Sequence, residues 1–169
     1  TLSCASTAFA DDTTRRCVTS CPLGYFKDST TYKCVVSCPN SPIPYFAENT
    51  TRSCQSACPS GSYADALKGI CVAVCSAFPL TYAEPNTFTC VLSCPVIYNE
   101  YADTVTQKCV TTCTSGYFAD DRERLCLKNC SNIFFADSLT TPPACVSVCS
   151  PTTFADPLLF KCVTTCSPS

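Results

Sequence analysis

The sequence predicts a small disulfide-rich fold, mostly β and irregular, arranged as an elongated tandem array of nine short disulfide-closed β-hairpin modules. Three observations carry this prediction. Cysteine accounts for 19 of 169 residues, about one in nine, which is the density of a disulfide scaffold. An aromatic-Ala-acid motif recurs as Phe9-Ala10-Asp11, Phe46-Ala47-Glu48, Tyr63-Ala64-Asp65, Tyr82-Ala83-Glu84, Tyr101-Ala102-Asp103, Phe118-Ala119-Asp120, Phe135-Ala136-Asp137 and Phe154-Ala155-Asp156, with Phe26-Lys27-Asp28 as a ninth, variant copy. Nine C-x-x-x-C pairs interleave with these motifs: Cys17/Cys21, Cys34/Cys38, Cys54/Cys58, Cys71/Cys75, Cys90/Cys94, Cys109/Cys113, Cys126/Cys130, Cys145/Cys149 and Cys162/Cys166. Self-similarity at a fixed period is the signature of a repeat array.

The units follow from the opening cysteines, with Cys4 standing alone at the front. Residues 1–169 read as a single cysteine-rich array with units at about 4–20, 21–37, 38–57, 58–74, 75–93, 94–112, 113–129, 130–148 and 149–165. Each unit begins with a loop of variable length, such as Pro39-Asn40-Ser41-Pro42-Ile43-Pro44 in the third. Next comes the aromatic, eight positions before the closing cysteine in eight of the nine units. The exception is the eighth unit, lengthened on the turn side at Thr140-Thr141-Pro142-Pro143. A spacing held at eight places the aromatic and the closing cysteine on one rigid element, with the opening segment as a tolerant loop.

That element reads as a hairpin. In the seventh unit Tyr117-Phe118-Ala119 is the first strand, Asp120 to Arg124 the turn and Leu125-Cys126-Leu127 the return strand. The acid opens the turn, where its carboxylate can accept from backbone N–H groups two residues on. Thr13, Thr30, Thr51, Thr106 and Thr141 fill the turns. Seven closing cysteines are followed by Val, which suits an aromatic facing a β-branched residue across a two-stranded ribbon. Helical periodicity is absent, and 13 prolines are scattered through the chain. One aromatic and one Val per unit make a very small core, so crosslinks must supply the stability, at roughly 3 kcal/mol per loop of about 15 residues.

Sequence alone leaves the pairing open among three schemes. Bridging within each C-x-x-x-C strands Cys4 and leaves every hairpin unclosed. An interlaced scheme needs adjacent hairpins to fold back on one another. The serial scheme is favoured because it uses eighteen cysteines: Cys4–Cys17, Cys21–Cys34, Cys38–Cys54, Cys58–Cys71, Cys75–Cys90, Cys94–Cys109, Cys113–Cys126, Cys130–Cys145 and Cys149–Cys162. Cys166 is then left to pair outside the segment.

The run Cys21-Pro22-Leu23-Gly24-Tyr25-Phe26, with Cys34-Val35-Val36-Ser37-Cys38 after it, resembles furin-like and growth-factor-receptor cysteine-rich repeats. It looks most like the long tandem arrays in surface proteins of ciliates and other protists. The resemblance covers the whole chain and implies serially closed single-disulfide modules used as spacers, stalks or coats. Receptor activity is not implied, because no leucine-rich ligand-binding domain accompanies the array.

Other chemistries fit less well. Zinc is the first rival for thiols at this spacing, but nine equal pairs without a single His favour disulfides. Redox catalysis needs C-x-x-C beside a βαβ unit, and neither is present in the sequence. The acids come one per turn and read as solvated turn formers rather than paired catalytic carboxylates. A row of them could take up Ca²⁺ only weakly, since no D-x-D-x-D loop occurs. No cofactor is expected. The repeated aromatics read as packing groups more readily than as a carbohydrate-stacking ladder. In the doubled pairs Tyr45-Phe46, Tyr117-Phe118 and Phe134-Phe135, one ring is expected inside and one outside. A net charge of −2 without a basic block argues against nucleic acid, and no apolar run reaches the ~18–20 residues of a membrane span.

Asn49-Thr50-Thr51 is an N-glycosylation sequon in an expected turn, and Asn129-Cys130-Ser131 is a weaker one because its middle residue should be in a disulfide. Thr140, Thr141, Thr152 and Thr153 lie in Pro-flanked clusters suited to O-glycans. Dense cysteines place the chain in an oxidising compartment, extracellular or at the cell surface. The expected function is that of a non-enzymatic structural protein, a rod- or filament-forming coat component that self-associates head-to-tail or laterally. The alternative is a receptor ectodomain or a protease-inhibitor-like binding module, with the loop Ser41-Pro42-Ile43-Pro44 as its deviant unit. The repeat phase also suggests a segment of a longer array: Thr1-Leu2-Ser3-Cys4 aligns with Val91-Leu92-Ser93-Cys94, where Cys90 precedes.

Overall fold

A computed structural model describes residue 4 and residues 7–131 and 133–167. It consists of nine consecutive hairpin modules, almost all strand and turn, each closed by one disulfide. The bridges are Cys4–Cys17, Cys21–Cys34, Cys38–Cys54, Cys58–Cys71, Cys75–Cys90, Cys94–Cys109, Cys113–Cys126, Cys130–Cys145 and Cys149–Cys162. Each joins the start of a module's loop to its return strand, across 13 to 16 residues. No helix among the described residues is long and apolar enough to cross a membrane.

The chain forms two compact units, residues 1–76 with 86–90 and residues 77–85 with 91–169. The first contains β1 (Phe9–Asp11), β2 (Arg16–Val18), β3 (Phe26–Asp28), β4 (Lys33–Val35), β5 (Phe46–Glu48), β6 (Ser53–Gln55), β7 (Tyr63–Asp65) and β8 (Ile70–Val72). The second contains β9 (Tyr82–Glu84), β11 (Tyr101–Asp103), β12 (Lys108–Val110), β13 (Phe118–Asp120), β14 (Leu125–Leu127), β15 (Phe135–Asp137), β16 (Ala144–Val146), β17 (Phe154–Asp156) and β18 (Lys161–Val163). Strand β10 (Thr89–Val91) contributes Thr89 and Cys90 to the first unit and Val91 to the second. One 3₁₀ turn, Val96–Tyr98, lies in a connecting loop.

Within each unit the same two pairings alternate. An aromatic strand runs antiparallel to its own return strand, with Phe9 opposite Val18, Tyr101 opposite Val110 and Phe118 opposite Leu127. Its other edge takes the return strand of the following module in a single parallel bridge. These bridges join Ala10 to Lys33, Lys27 to Ser53, Ala47 to Ile70 and Ala64 to Thr89 in the first unit. In the second they join Ala83 to Lys108, Ala102 to Leu125, Ala119 to Ala144 and Ala136 to Lys161. Strands begin at the second aromatic of a doubled pair and include the acid, so the seventh module's strand is Phe118–Asp120 rather than Tyr117-Phe118-Ala119.

The expected aromatic and Val side chains do pack together, Val91 against the Tyr82 cluster and Val110 against the Tyr101 cluster, and the core they form extends into the next module. Tyr82 packs with Cys94, Cys109 and Ala102, all from the next module, while Tyr101 packs with Ala119 and Cys126 of the next. An aromatic ring of one module therefore lies on the disulfide and the alanine of its successor. A small Ala side chain leaves room for the ring, and the second module carries Lys27 at this position. Ala47, Ala64, Ala83, Ala102, Ala119 and Ala136 are all buried. The doubled aromatics also differ from expectation. Tyr45, Tyr117 and Phe134 are half-buried rather than outside, and Arg122 lies 5.1 Å over the Phe134 ring.

Candidate functional site: the inter-module junction

One constellation repeats eight times, and it is built from four positions per module. The first is the middle residue of the aromatic strand. In an antiparallel ribbon its side chain faces a non-hydrogen-bonded neighbour, so its N–H points away from its own hairpin. The second is the residue that ends the turn, two before the closing cysteine. It adopts the left-handed region at Arg15, Tyr32, Arg52, Phe88, Gln107, Arg124 and Phe160, with φ between 51° and 55°, and at Gly69 with φ 66°. That conformation aims its carbonyl at the preceding module. Ala10 N–H donates to Tyr32 O at 2.8 Å, Lys27 to Arg52 at 2.9 Å, Ala47 to Gly69 at 2.8 Å and Ala64 to Phe88 at 2.8 Å. Ala83 donates to Gln107 at 2.9 Å, Ala102 to Arg124 at 2.9 Å, Ala119 to Pro143 at 2.9 Å and Ala136 to Phe160 at 3.0 Å. The sequence offered one hint of this position, the lone Gly69; residues such as Arg and Phe carry no such signal.

At three junctions the side chain of the same turn residue covers the preceding module's aromatic. Tyr32 stacks on Phe9 with centroids 6.4 Å apart, and Phe88 lies 6.5 Å from Tyr63. Arg124 places its guanidinium 4.4 Å over the Tyr101 ring and donates through Nη2 to Glu100 O at 2.7 Å. Arg52 donates to Cys21 O at 2.9 Å and to Pro22 O. These are cation–π and carbonyl contacts in the same place that Tyr32 and Phe88 fill with rings.

The acid is the fourth position, and here the expectation of solvated turn formers is overturned. Asp11, Asp28, Glu48, Asp65, Glu84, Asp103, Asp120, Asp137 and Asp156 are all buried, none more than 6 % exposed. One carboxylate oxygen does cap the turn: Thr13, Thr30, Leu67, Val105, Arg122, Leu139 and Leu158 N–H groups donate to the acid two residues before them at 2.9 to 3.0 Å. At Asp11, Asp28, Asp103 and Asp137 the other oxygen serves the turn or the next module's loop, whereas Asp65 Oδ2 is buried with no hydrogen-bond partner among the described residues and has Lys68 Nζ at 3.8 Å. Thr14 and Thr31 hydroxyls reach Asp11 and Asp28 from the turn at 2.7 and 2.6 Å. Thr114 donates to Asp103 from the next loop, and Ser150 N–H and hydroxyl donate to Asp137 at 2.9 and 2.6 Å. A carboxylate surrounded by donors is stabilised in its charged form. Burial raises the Glu48 carboxyl, but the Thr51 hydroxyl and the Thr51 and Thr50 N–H groups outweigh it and bring its pKa to about 2. The Ser167 contact brings Asp156 to about 2. The Thr14 hydroxyl depresses Asp11, and hydroxyl donors overcome burial at Asp28, Asp103 and Asp137.

Among the described residues no group of three or more His, Cys, Asp or Glu side chains stands together as a metal site. Asn49 is exposed in a turn, with Thr51 donating to Glu48 at 2.7 Å. Asn129 is exposed beside the buried, disulfide-bonded Cys130. Thr141 and Thr152 are exposed, whereas the half-buried Thr140 and Thr153 donate to Asp137 O and Ser150 O at 3.0 Å. The loop at 41–44 borders a shallow groove of about 260 Å³ lined by Thr30, Pro39, Pro42, Ile43 and Tyr45. Cys166 is exposed and unpaired among the described residues. No protein-family model, curated protein or solved structure matches this chain.

Proposed function

We propose that the chain is a non-enzymatic structural protein of the extracellular space or cell surface, a rod- or filament-forming coat component that carries glycans. Its repeats are akin to the furin-like and growth-factor-receptor cysteine-rich type. The observation that supports this reading is the junction repeated eight times. Each module's outward backbone, aromatic ring and acid engage the adjacent parts of its array, so adding modules adds length through contacts already in use. Nine disulfides suit an oxidising medium, where they persist. Asn49 is the expected N-glycan site, with Asn129, Thr140, Thr141, Thr152 and Thr153 as weaker positions. Cys166 is a thiol available for a bridge outside this segment. Electron microscopy of the native material is the test: fibres or a surface layer are expected, and uniformly dispersed single molecules would overturn the reading.

A second reading is favoured by the groove at Pro42 and Ile43, which gives this loop a concave apolar face. In that reading the chain is a receptor ectodomain or inhibitor-like binding module. Replacing 41–44 by the shorter loop of the second module would abolish capture of a ligand while leaving assembly intact.

A further inference from the structure

One aromatic position is not needed by the hairpin. Tyr25 and Tyr45 immediately precede β3 and β5, and Ser62 and Thr153 occupy the same place before β7 and β17. The backbone turn there is the same with or without a ring: Tyr25, Ser62 and Thr153 N–H groups donate to Pro22, Pro59 and Ser150 O at 3.0, 3.0 and 2.9 Å. Tyr25 is half-buried, and no hydrogen bond joins its hydroxyl to another described residue, whereas the Tyr101 hydroxyl donates to Asp121. Tyr25 lines an open groove of about 550 Å³ between the turn of the first module and the return strand of the second. Asp12 and Thr13 come to it from that turn, Val36 and Ser37 from the end of the return strand, and all four are exposed. The Asp12 side chain is 80 % exposed and has an exposed ion pair with Lys33 at 3.7 Å, a contact of little strength. The next junction repeats the arrangement, with Tyr45 and Thr30 lining a groove of about 260 Å³ together with Ser41 and Ile43. Both grooves lie between consecutive modules, and the second has described modules on either side.

We infer that the grooves at Tyr25 and Tyr45 bind a neutral oligosaccharide of equatorially substituted pyranose rings. The C–H face of such a sugar is apolar and slightly positive, and it stacks on the negative face of an aromatic ring. Val36 adds apolar surface beside Tyr25. The hydroxyls at the sugar's rim need partners, and the groove supplies them: the Asp12 carboxylate accepts, while the Thr13, Ser37 and Tyr25 hydroxyls donate or accept. An aromatic surface with a few polar groups around it is the usual make-up of a small-molecule site. Charge narrows the class. No Lys or Arg lines either groove, and Asp12 repels uronates and sulfated sugars. Spacing sets the length. β1 and β3 are separated by β4 alone, so equivalent positions of consecutive modules lie ~10 Å apart, about the length of a disaccharide. One sugar chain can thus engage both grooves, each contact raising the effective concentration for the other.

The test is a titration of the oxidised 169-residue chain, read from its amide NMR spectrum, with chitotetraose, cellotetraose and tetragalacturonate. Concentrations up to about 10 mM cover the weak binding expected of a shallow groove. At least one of the two neutral sugars is expected to shift the amides of Asp12, Thr13, Tyr25, Val36 and Ser37 saturably, and those of Thr30 and Tyr45 with them. Tetragalacturonate is expected to leave them in place. Tyr25→Ser, which installs the residue type found at Ser62, is expected to weaken binding at least about fivefold, as loss of an aromatic anchor does, and to abolish the shifts at Asp12 and Ser37. Tyr25→Phe keeps the stacking surface and is expected to bind within about twofold of the wild type. An intact Cys21–Cys34 bridge in peptide mapping checks the folding of both variants. Tighter binding of chitotetraose assigns the acetamido sugars of protein-linked glycans, and tighter binding of cellotetraose the plain hexoses of structural polysaccharides; either supports the inference. No shift with either neutral sugar, shifts confined to other residues, equal binding of tetragalacturonate, or wild-type binding by Tyr25→Ser overturns it. The outcome is separate from that of the structural reading: fibres that bind no sugar would keep that reading and remove this one, and sugar-binding single molecules would do the reverse.

Discussion

Burial works against the Glu48 carboxylate, yet the Thr51 hydroxyl at 2.7 Å and the Thr51 and Thr50 N–H groups at 2.6 and 2.7 Å prevail. A folded pKa of about 2, against 4.5 for an ordinary glutamate, means that the unfolded chain binds this proton more readily than the folded one. Asp156 behaves in the same way, at about 2 against 3.8. Thermal stability is therefore expected to be level above about pH 5 and to fall as pH drops from the unfolded values towards 2. A pH series of melting curves checks this, and a flat profile down to pH 2 would contradict it. The acids were legible as turn formers because an acid ahead of Thr is turn chemistry. Their burial was not legible, since the groups that cover Asp103 and Asp137, namely Thr114 and Ser150, lie 11 and 13 residues away in another module. Gly69 makes a second prediction at this scale. A Cβ there would meet no atom within 4 Å, so Gly69→Ala tests backbone conformation alone. Forcing a non-glycine residue to φ 66° is expected to cost about 1 kcal/mol in a denaturant titration.

The hairpin was the most readable element. An aromatic eight residues before a cysteine that Val follows fixes two strands and a turn, and the observed registers place Phe or Tyr opposite Val, Leu or Gln. Harder to read was where the rings go. Period-2 alternation over three residues says which face is apolar but not that this face belongs to the next module's disulfide. Tyr101 shows the consequence. Its ring packs on Ala119 and Cys126, and its hydroxyl donates to Asp121 at 2.5 Å. Tyr101→Ala is expected to destabilise the second unit by about 3 kcal/mol, the usual cost of deleting a buried aromatic. Tyr101→Phe, which keeps the ring, is expected to cost about 1 kcal/mol. Hydrogen exchange of Ala119 and Ala102 would locate the loss at the two flanking junctions. Equal effects of both substitutions would mean that the hydroxyl, not the packing, holds the contact.

Across the molecule, stability rests on crosslinks because the apolar side chains each unit buries are only alanines, cysteines and a few rings. Reduction is expected to unfold the chain, and a chelator under non-reducing conditions to leave its circular dichroism unchanged; loss of structure on adding EDTA would point to metal instead. The number of modules was legible from cysteine rhythm alone. The division into two compact units was not, because its boundary falls inside the fifth module, whose spacing is ordinary. Everything described here depends on each module being closed by its own bridge, since only that connectivity sets an aromatic strand beside the return strand of its successor. Peptide mapping of the unreduced chain by mass spectrometry tests this most directly. Nine serial pairs, from Cys4–Cys17 to Cys149–Cys162, are the predicted result. Bridges within C-x-x-x-C pairs, such as Cys17–Cys21, or interlaced bridges between neighbouring modules would contradict it.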